Sequence, residues 1–177
     1  MTKQFRSASN GLKFAALALA IAGAGSAQAA TANATSTSTV VAPINISKTA
    51  DLSFGSFAAG AAPGSVTVSP NNTRGVSGGV IAMGGTATAA QFNVTGEAGS
   101  GYVVTLGGST ELTSGGNTMP FTPVSDFTAS SITTGNVTTS TLTGGAQTIY
   151  VGGVLSVAAN QAAGEYTGTV TATVEYQ

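Results

Sequence analysis

The residues best suited to chemistry in this 177-residue chain are few, and their types restrict what they can do. Histidine and cysteine are absent. Their absence removes the His-dependent triads and thiolate nucleophiles and the ordinary ligands of zinc and copper. A carboxylate pair can run glycoside hydrolysis, and Glu97 and Glu111 flank one predicted strand. No aromatic sugar platform accompanies them, so they read as turn carboxylates. Calcium needs Asp and Asn clustered at alternate positions, and no such loop occurs. Gly78-Gly79 and Gly84-Gly85 precede neither a helix nor a lysine, so they do not form a phosphate loop. Lys48 near Asp51 raises the idea of a Lys–Asn cross-link, but a solvated loop lysine is the plainer reading. Asn-x-Ser/Thr triplets begin at Asn33, Asn45, Asn71, Asn93 and Asn136, as an Asn- and Thr-rich chain produces by chance. The residues call for no enzyme activity, no cofactor and no metal.

Composition excludes further classes. Lys3, Arg6 and Lys13, the apolar run Phe14 to Ala22 and the small-x-small Ala27-Gln28-Ala29 predict a signal peptide over residues 1–29. That run is too short for a stable membrane span, and nothing later replaces it. Beyond residue 29, Lys48 and Arg74 stand against six acids, a formal charge of −4. Such a chain has no electrostatic means to hold nucleic acid or anionic lipid. Only 6% of residues are charged and mean hydropathy is +0.29. A surface so poor in charge suits a subunit covered by copies of itself.

What remains is organised by period-2 alternation. In Tyr166 to Tyr176, Tyr166, Gly168, Val170, Ala172, Val174 and Tyr176 share one parity while Thr and Glu hold the other. This predicts a closing strand with one face on a core. It needs a neighbour on each side or it leaves an open sheet edge. Near the other end, Val40, Ala42, Ile44 and Ile46 share a face in Val40 to Ser47 (VVAPINIS), where Pro43 restricts the segment to an edge or added strand. Residues 30–39 are small, polar and without structure of their own. Lys48 to Asp51 breaks the run, and Leu52 to Phe57 reads as a strand with Leu52 and Phe54 on one face. Ala58 to Gly64 reads as a link.

Short strands follow at Ser65–Ser69, Gly75–Met83, Ala89–Thr95, Tyr102–Leu106, Glu111–Thr113, Val137–Leu142 and Gln147–Val157. Met119–Phe127, with two prolines, reads as edge or loop. Gly78-Gly79 predicts a bulge or a close backbone approach, and Gly152-Gly153 a bulge. No stretch has a helical period. About eight to ten short strands separated by turn signals predict an all-β, immunoglobulin-like β-sandwich.

The VVAPINIS segment, Leu52-Ser53-Phe54-Gly55, and the closing Ala163-Gly164-Glu165-Tyr166-Thr167-Gly168-Thr169-Val170 with Val174-Glu175-Tyr176 resemble bacterial fimbrial subunits of the chaperone–usher type. The likeness is to the archaic, spore-coat-U-like branch and to a related family of secreted bacterial domains of poorly defined role. It covers the two ends of the chain; the middle matches only in style.

The resemblance implies a sandwich lacking one strand, with residues 30–47 as N-terminal extension and residues 48–177 as the domain. A periplasmic chaperone would fill the gap until, at an outer-membrane usher, the next copy's extension replaced it. The result would be a head-to-tail filament on the cell surface. Carried onto this chain, Val40, Ala42, Ile44 and Ile46 would be the donor residues. Leu52, Phe54, Phe57, Tyr166, Val170, Val174 and Tyr176 would line the acceptor groove. The chain departs from the pattern in lacking the disulfide that many such subunits carry.

Burying Val40, Ile44 and Ile46 would contribute on the order of 5–8 kcal/mol at most. Where that strand inserts therefore separates a monomer from a polymer. The rival reading is a self-contained secreted or cell-surface sandwich with a binding or adhesion role, whose Val40–Ser47 stretch is its own first strand. A sugar- or surface-binding module has little support from 6% aromatic residues. A donor segment predicts a strand either folded back parallel into its own groove or projecting away and leaving an apolar slot open; a seamless antiparallel first strand without a groove favours the rival.

Overall fold

A computed structural model describes residues 28–177. The expected leader falls almost wholly on residues 1–27, outside the described residues. Val40–Gln177 forms one compact unit, and residues 28–39 have no regular secondary structure.

The unit is all-β, with two antiparallel sheets of seven and three strands. In chain order the strands are β1 (Asn45–Ala50), β2 (Phe57–Val68), β3 (Arg74–Ala82), β4 (Ala90–Thr95) and β5 (Gly101–Gly108). They continue with β6 (Glu111–Ser114), β7 (Asn117–Asp126), β8 (Thr139–Thr141), β9 (Ala146–Val157) and β10 (Val170–Tyr176). The alternation predicted for β4 is direct: Ala90, Phe92 and Val94 are buried and the residues between them are not.

The long strand β9 is the spine. Val151 stands opposite both Ala90 of β4 and Ser125 of β7. Leu155 stands opposite both Val66 of β2 and Phe121 of β7. So β4 and β2 follow one another along one edge of β9, and β7 runs along the other. Ile149 and Val151 belong to one hydrophobic cluster, with Phe92, Val94, Tyr102 and Leu142. Leu155 and Val157 belong to a second, with Phe54, Val66, Val68 and Phe121. Gly152-Gly153 lies where β9 passes from one cluster to the other. The bulge expected there is absent: β7 stays in register through Val124↔Gly152 and Pro123↔Gly153. Glycine is needed because a Cβ at Gly152 would collide with the Val68 carbonyl, and one at Gly153 with the Phe121 ring. The Gly78-Gly79 pair is likewise a close approach, to the backbone of Ala62 and Pro63. The irregularity of that hairpin sits in β2, between Ala59 and Gly64.

Three sequence expectations are corrected near the N-terminus. The Lys48–Asp51 break does not end the strand, because β1 runs to Ala50 with one register shift against β4. The 47/48 domain boundary therefore falls inside β1. Leu52–Phe57 is not a continuous strand: Ser53 bridges Thr88, and Gly55 turns left-handed at φ +66° before β2 begins. The Ala58–Gly64 link is strand, the first half of β2. Pro120 and Pro123 of β7 lie close to where it exchanges β6 for β9 as partner, so it is a ladder strand despite them.

Candidate functional site

The two sheets do not close on one side. β10 pairs with β5 alone, and ahead of it Thr167 bridges Thr113. Thr167 directs both its N–H and its C=O to Thr113, at 3.0 and 2.9 Å, and the Thr169 carbonyl accepts from Ser109 at 2.8 Å. In an antiparallel strand the alternate residues face the other way, so the backbone edges of Tyr166, Gly168 and Val170 point outward. Across the gap, Ser53 spends both backbone groups on Thr88, at 2.8 and 2.9 Å. Leu52 and Phe54 are thereby turned to the opposite side.

Between these edges lies a groove of about 1080 Å³. Leu52–Ala59 forms one wall and Gln161–Val170 the other, above a floor of Leu112, Met119, Phe121 and Leu155. Floor and walls belong to one apolar cluster, and the Phe54 and Phe121 rings meet edge-to-face at 6.0 Å. Yet Leu52, Phe57, Tyr166 and Val170 are only half-buried. Apolar side chains on a core face stay half-wet here because no strand among the described residues covers them.

Polar contacts hold both walls. Arg74 donates to three carbonyls, with Nη1 to Phe54 at 3.2 Å and Ser56 at 3.3 Å, and Nη2 to Met83 at 2.7 Å. The guanidinium pins the wall where Gly55 bends it. On the other side Gln161 Nε2 donates to Tyr166 Oη at 2.8 Å and to the Thr118 carbonyl at 3.2 Å. Tyr166 Oη donates to the Ala162 carbonyl at 2.8 Å. Replacing Arg74 with Met is expected to cost the wall about 1–2 kcal/mol and speed amide exchange at Gly55 and Phe57 roughly ten-fold, with β9 amides unchanged. Hydrogen-exchange mass spectrometry reads this directly.

At its other end the gap is shut. Tyr176 Oη donates to the Ala42 carbonyl at 2.8 Å and accepts from the Glu97 N–H at 2.6 Å, while the Ala42 N–H donates to Glu97 Oε2 at 3.1 Å. Gly96 is required beside this latch, since a Cβ there would strike the Tyr176 hydroxyl.

Of the residues expected in an acceptor groove, Leu52, Phe54, Phe57, Tyr166 and Val170 line it. Val174 and Tyr176 lie outside it, against the second cluster. The four residues expected in a donor strand are divided. Ile44 and Ile46 pack on the chain's own core, and Ile46 is laddered opposite Val94 of β4. Ala42 is held by the latch, and Val40 is 95% exposed. A donor face that includes Ile44 and Ile46 is thus not free in this chain, because both pack on its own core and Ile46 lies in its edge strand β1. Arg74 and the Glu97–Tyr176 latch escaped the sequence, since nothing in a residue's type announces that its partner is a backbone group.

Glu97 serves the latch and Glu111 sits on β6. Among the described residues no three His, Cys, Asp or Glu side chains cluster as metal ligands would. Lys48 pairs with Asp51 at the groove mouth, largely exposed, a pair worth about 0–1 kcal/mol. Asp126 caps the turn after β7, accepting from Thr128 Oγ1 at 2.6 Å and from the Thr128 and Ser130 N–H groups at 3.2 Å. The Thr128 hydroxyl leads in holding its carboxyl below the ordinary 3.8, at about 2. A carboxyl lowered on folding stabilises above its unfolded value, and that stabilisation fades as pH falls through the folded one. The domain is expected to lose stability as pH drops from about 4 to about 2, and Asp126→Asn to flatten that limb. Urea midpoints across this range check it.

Comparison with known families matches residues 44–176 to the family described as Domain of unknown function (DUF4402). No curated protein and no solved structure matches the chain. Among the described residues no helix is long and apolar enough to cross a membrane. The match spans most of the chain, which belongs to the DUF4402 family.

Proposed function

We propose that this DUF4402 protein is the structural subunit of a bacterial surface filament, a pilus shaft built by strand addition. An N-terminal segment of one copy lies in the groove of the next. The observation that carries the reading is the open groove itself: an apolar floor between two walls, with no strand among the described residues laid along it. Exposed edges of this kind are ordinarily shortened, charged or covered, and the eight charged side chains beyond the leader's three are too few to guard them all while serving as caps and latches. An added strand supplies ladder bonds to both walls and excludes water from the floor.

The reading includes export through the periplasm under the N-terminal leader, a chaperone that lends a strand there, and an outer-membrane usher where the exchange occurs. Successive copies join head to tail, and the non-closing contact propagates a filament. No chemistry is asked of the chain. A second reading, a self-contained surface sandwich with a binding or adhesion role, draws on one fact: β1 is an antiparallel strand of its own domain. That reading leaves the groove without an occupant.

Sedimentation of the exported chain tests the proposal. Multimers of many copies that survive dilution for hours are expected, since a laddered strand releases slowly. A monodisperse monomer at every concentration would overturn it.

A further inference from the structure

Resting on the strand-addition reading, we infer that the strand taken up is Ala32–Val40 of a second copy, with Ala32, Ala34, Ser36, Ser38 and Val40 facing the groove floor. Its C-terminal limit is set by the fold. Both backbone groups of Ala42 are bound within its own domain, to Glu97 and Tyr176. Ile44 and Ile46 are committed to its own core, so nothing beyond Val41 is free. Val40 is the most exposed large apolar side chain described.

Upstream of it the sequence alternates without a break. Ala32, Ala34, Ser36, Ser38 and Val40 are small or apolar, and Asn33, Thr35, Thr37 and Thr39 are polar. This is a strand period, written in side chains too small to form a core. Such a face suits a shallow slot whose floor is already filled by Met119, Phe121 and Leu155. Backbone ladder bonds then supply most of the affinity, and Val40 supplies the one apolar anchor.

The occupant comes from another copy because of where the chain leaves its own domain. The latch sits at the Tyr176 end, whereas the groove begins at Val170. To enter its own groove the chain would reverse at Val41 and run back past β10, about 23 Å for seven extended residues. That path consumes Ala34–Val40 and, with the expected leader removed after residue 29, leaves only residues 30–33 for the groove. A neighbouring copy presents its groove directly, and Val41 alone then links two domains, which gives a stiff joint.

The chain has no cysteine, so introduced pairs report cleanly. Copies carrying Ala34→Cys, Ser36→Cys or Ser38→Cys are mixed with copies carrying Ala59→Cys or Ala163→Cys, one on each groove wall, and oxidised. All these positions lie in the exposed segment or at the groove surface. The inference expects a disulfide between different copies for at least one donor–wall pair, in most of the assembled material. A disulfide formed only within a chain carrying both substitutions, with a yield indifferent to dilution, overturns the second-copy assignment. Multimers with no cross-link from any of the three donor positions overturn the assigned segment while leaving strand addition standing. No multimers from any copy, the unsubstituted chain included, overturns both.

Discussion

A chain lacking residues 30–41 is expected to be released as single copies that no longer assemble, while keeping its sandwich. Every strand of the domain lies beyond the deletion, and Ala42, the last residue held by the Tyr176 latch, is retained. What the truncated chain cannot do is supply a strand. The groove wall Leu52–Ala59 runs at most about 26 Å, which accommodates roughly eight or nine added residues. With about 1 kcal/mol for each ladder bond formed, the assembled subunit should exceed the truncated one by on the order of 5 kcal/mol. Domain stabilities are only about 5–15 kcal/mol, so the difference is large. Sedimentation velocity reports the loss of assembly, and unfolding midpoints report the stability gap. Multimers formed by the truncated chain would show that contacts other than the N-terminal strand join the copies.

The second large effect concerns the spine. Gly153→Ala is expected to destabilise the domain by about 3 kcal/mol or more, at the upper end of overpacking costs. The added methyl would enter the Phe121 ring. That ring has little freedom to retreat, being laddered opposite Leu155 and set edge-to-face on Phe54. Gly152→Ala meets the Val68 carbonyl, a backbone atom inside the β2–β9 ladder, and should be at least as costly. Gly75→Ala on β3 has open space at its Cβ and serves as the control, with a change within about 0.5 kcal/mol. Urea unfolding of the three variants separates collision at the spine from a general intolerance of added methyl groups in strands. Gly153 also bears on the groove, since Leu155 two residues on forms part of its floor.

The all-β class was legible because β4, β5, β9 and β10 each alternate over enough residues to fix a face. The groove's second wall was legible only in part: the half-apolar parity of Tyr166 to Tyr176 picked out Tyr166 and Val170 but carried on to Val174 and Tyr176, which pack on the second cluster. The division between own strand and donor strand was not. VVAPINIS has the alternation that either role requires, and which sheet edge receives a strand is settled by partners distant in sequence. In this fold Asn45–Ala50 meets β4, some fifty residues on. The stretch before it read as structureless because Ala, Ser and Thr carry little hydropathy, although their order keeps a period of two. The glycine pairs signalled a backbone feature without its kind: a bulge and a close approach both require a missing Cβ. Arg74 gave no signal because carbonyl partners have no residue type. Tyr176 was legible only as an aromatic near the chain's end, not as a hydroxyl locking Ala42 to Glu97.

Thermal unfolding of Ala42–Gln177, alone and with a peptide of residues 30–41, tests the strand-accepting groove most directly. Val40–Gln177 is a compact unit by itself, so the shortened domain keeps its core and its latch. At saturating peptide the midpoint should rise by about 10 °C or more, with release slow enough for the complex to survive gel filtration. A midpoint indifferent to the peptide, in a domain already stable and monomeric, would contradict strand acceptance and leave the groove as the surface of a free-standing sandwich.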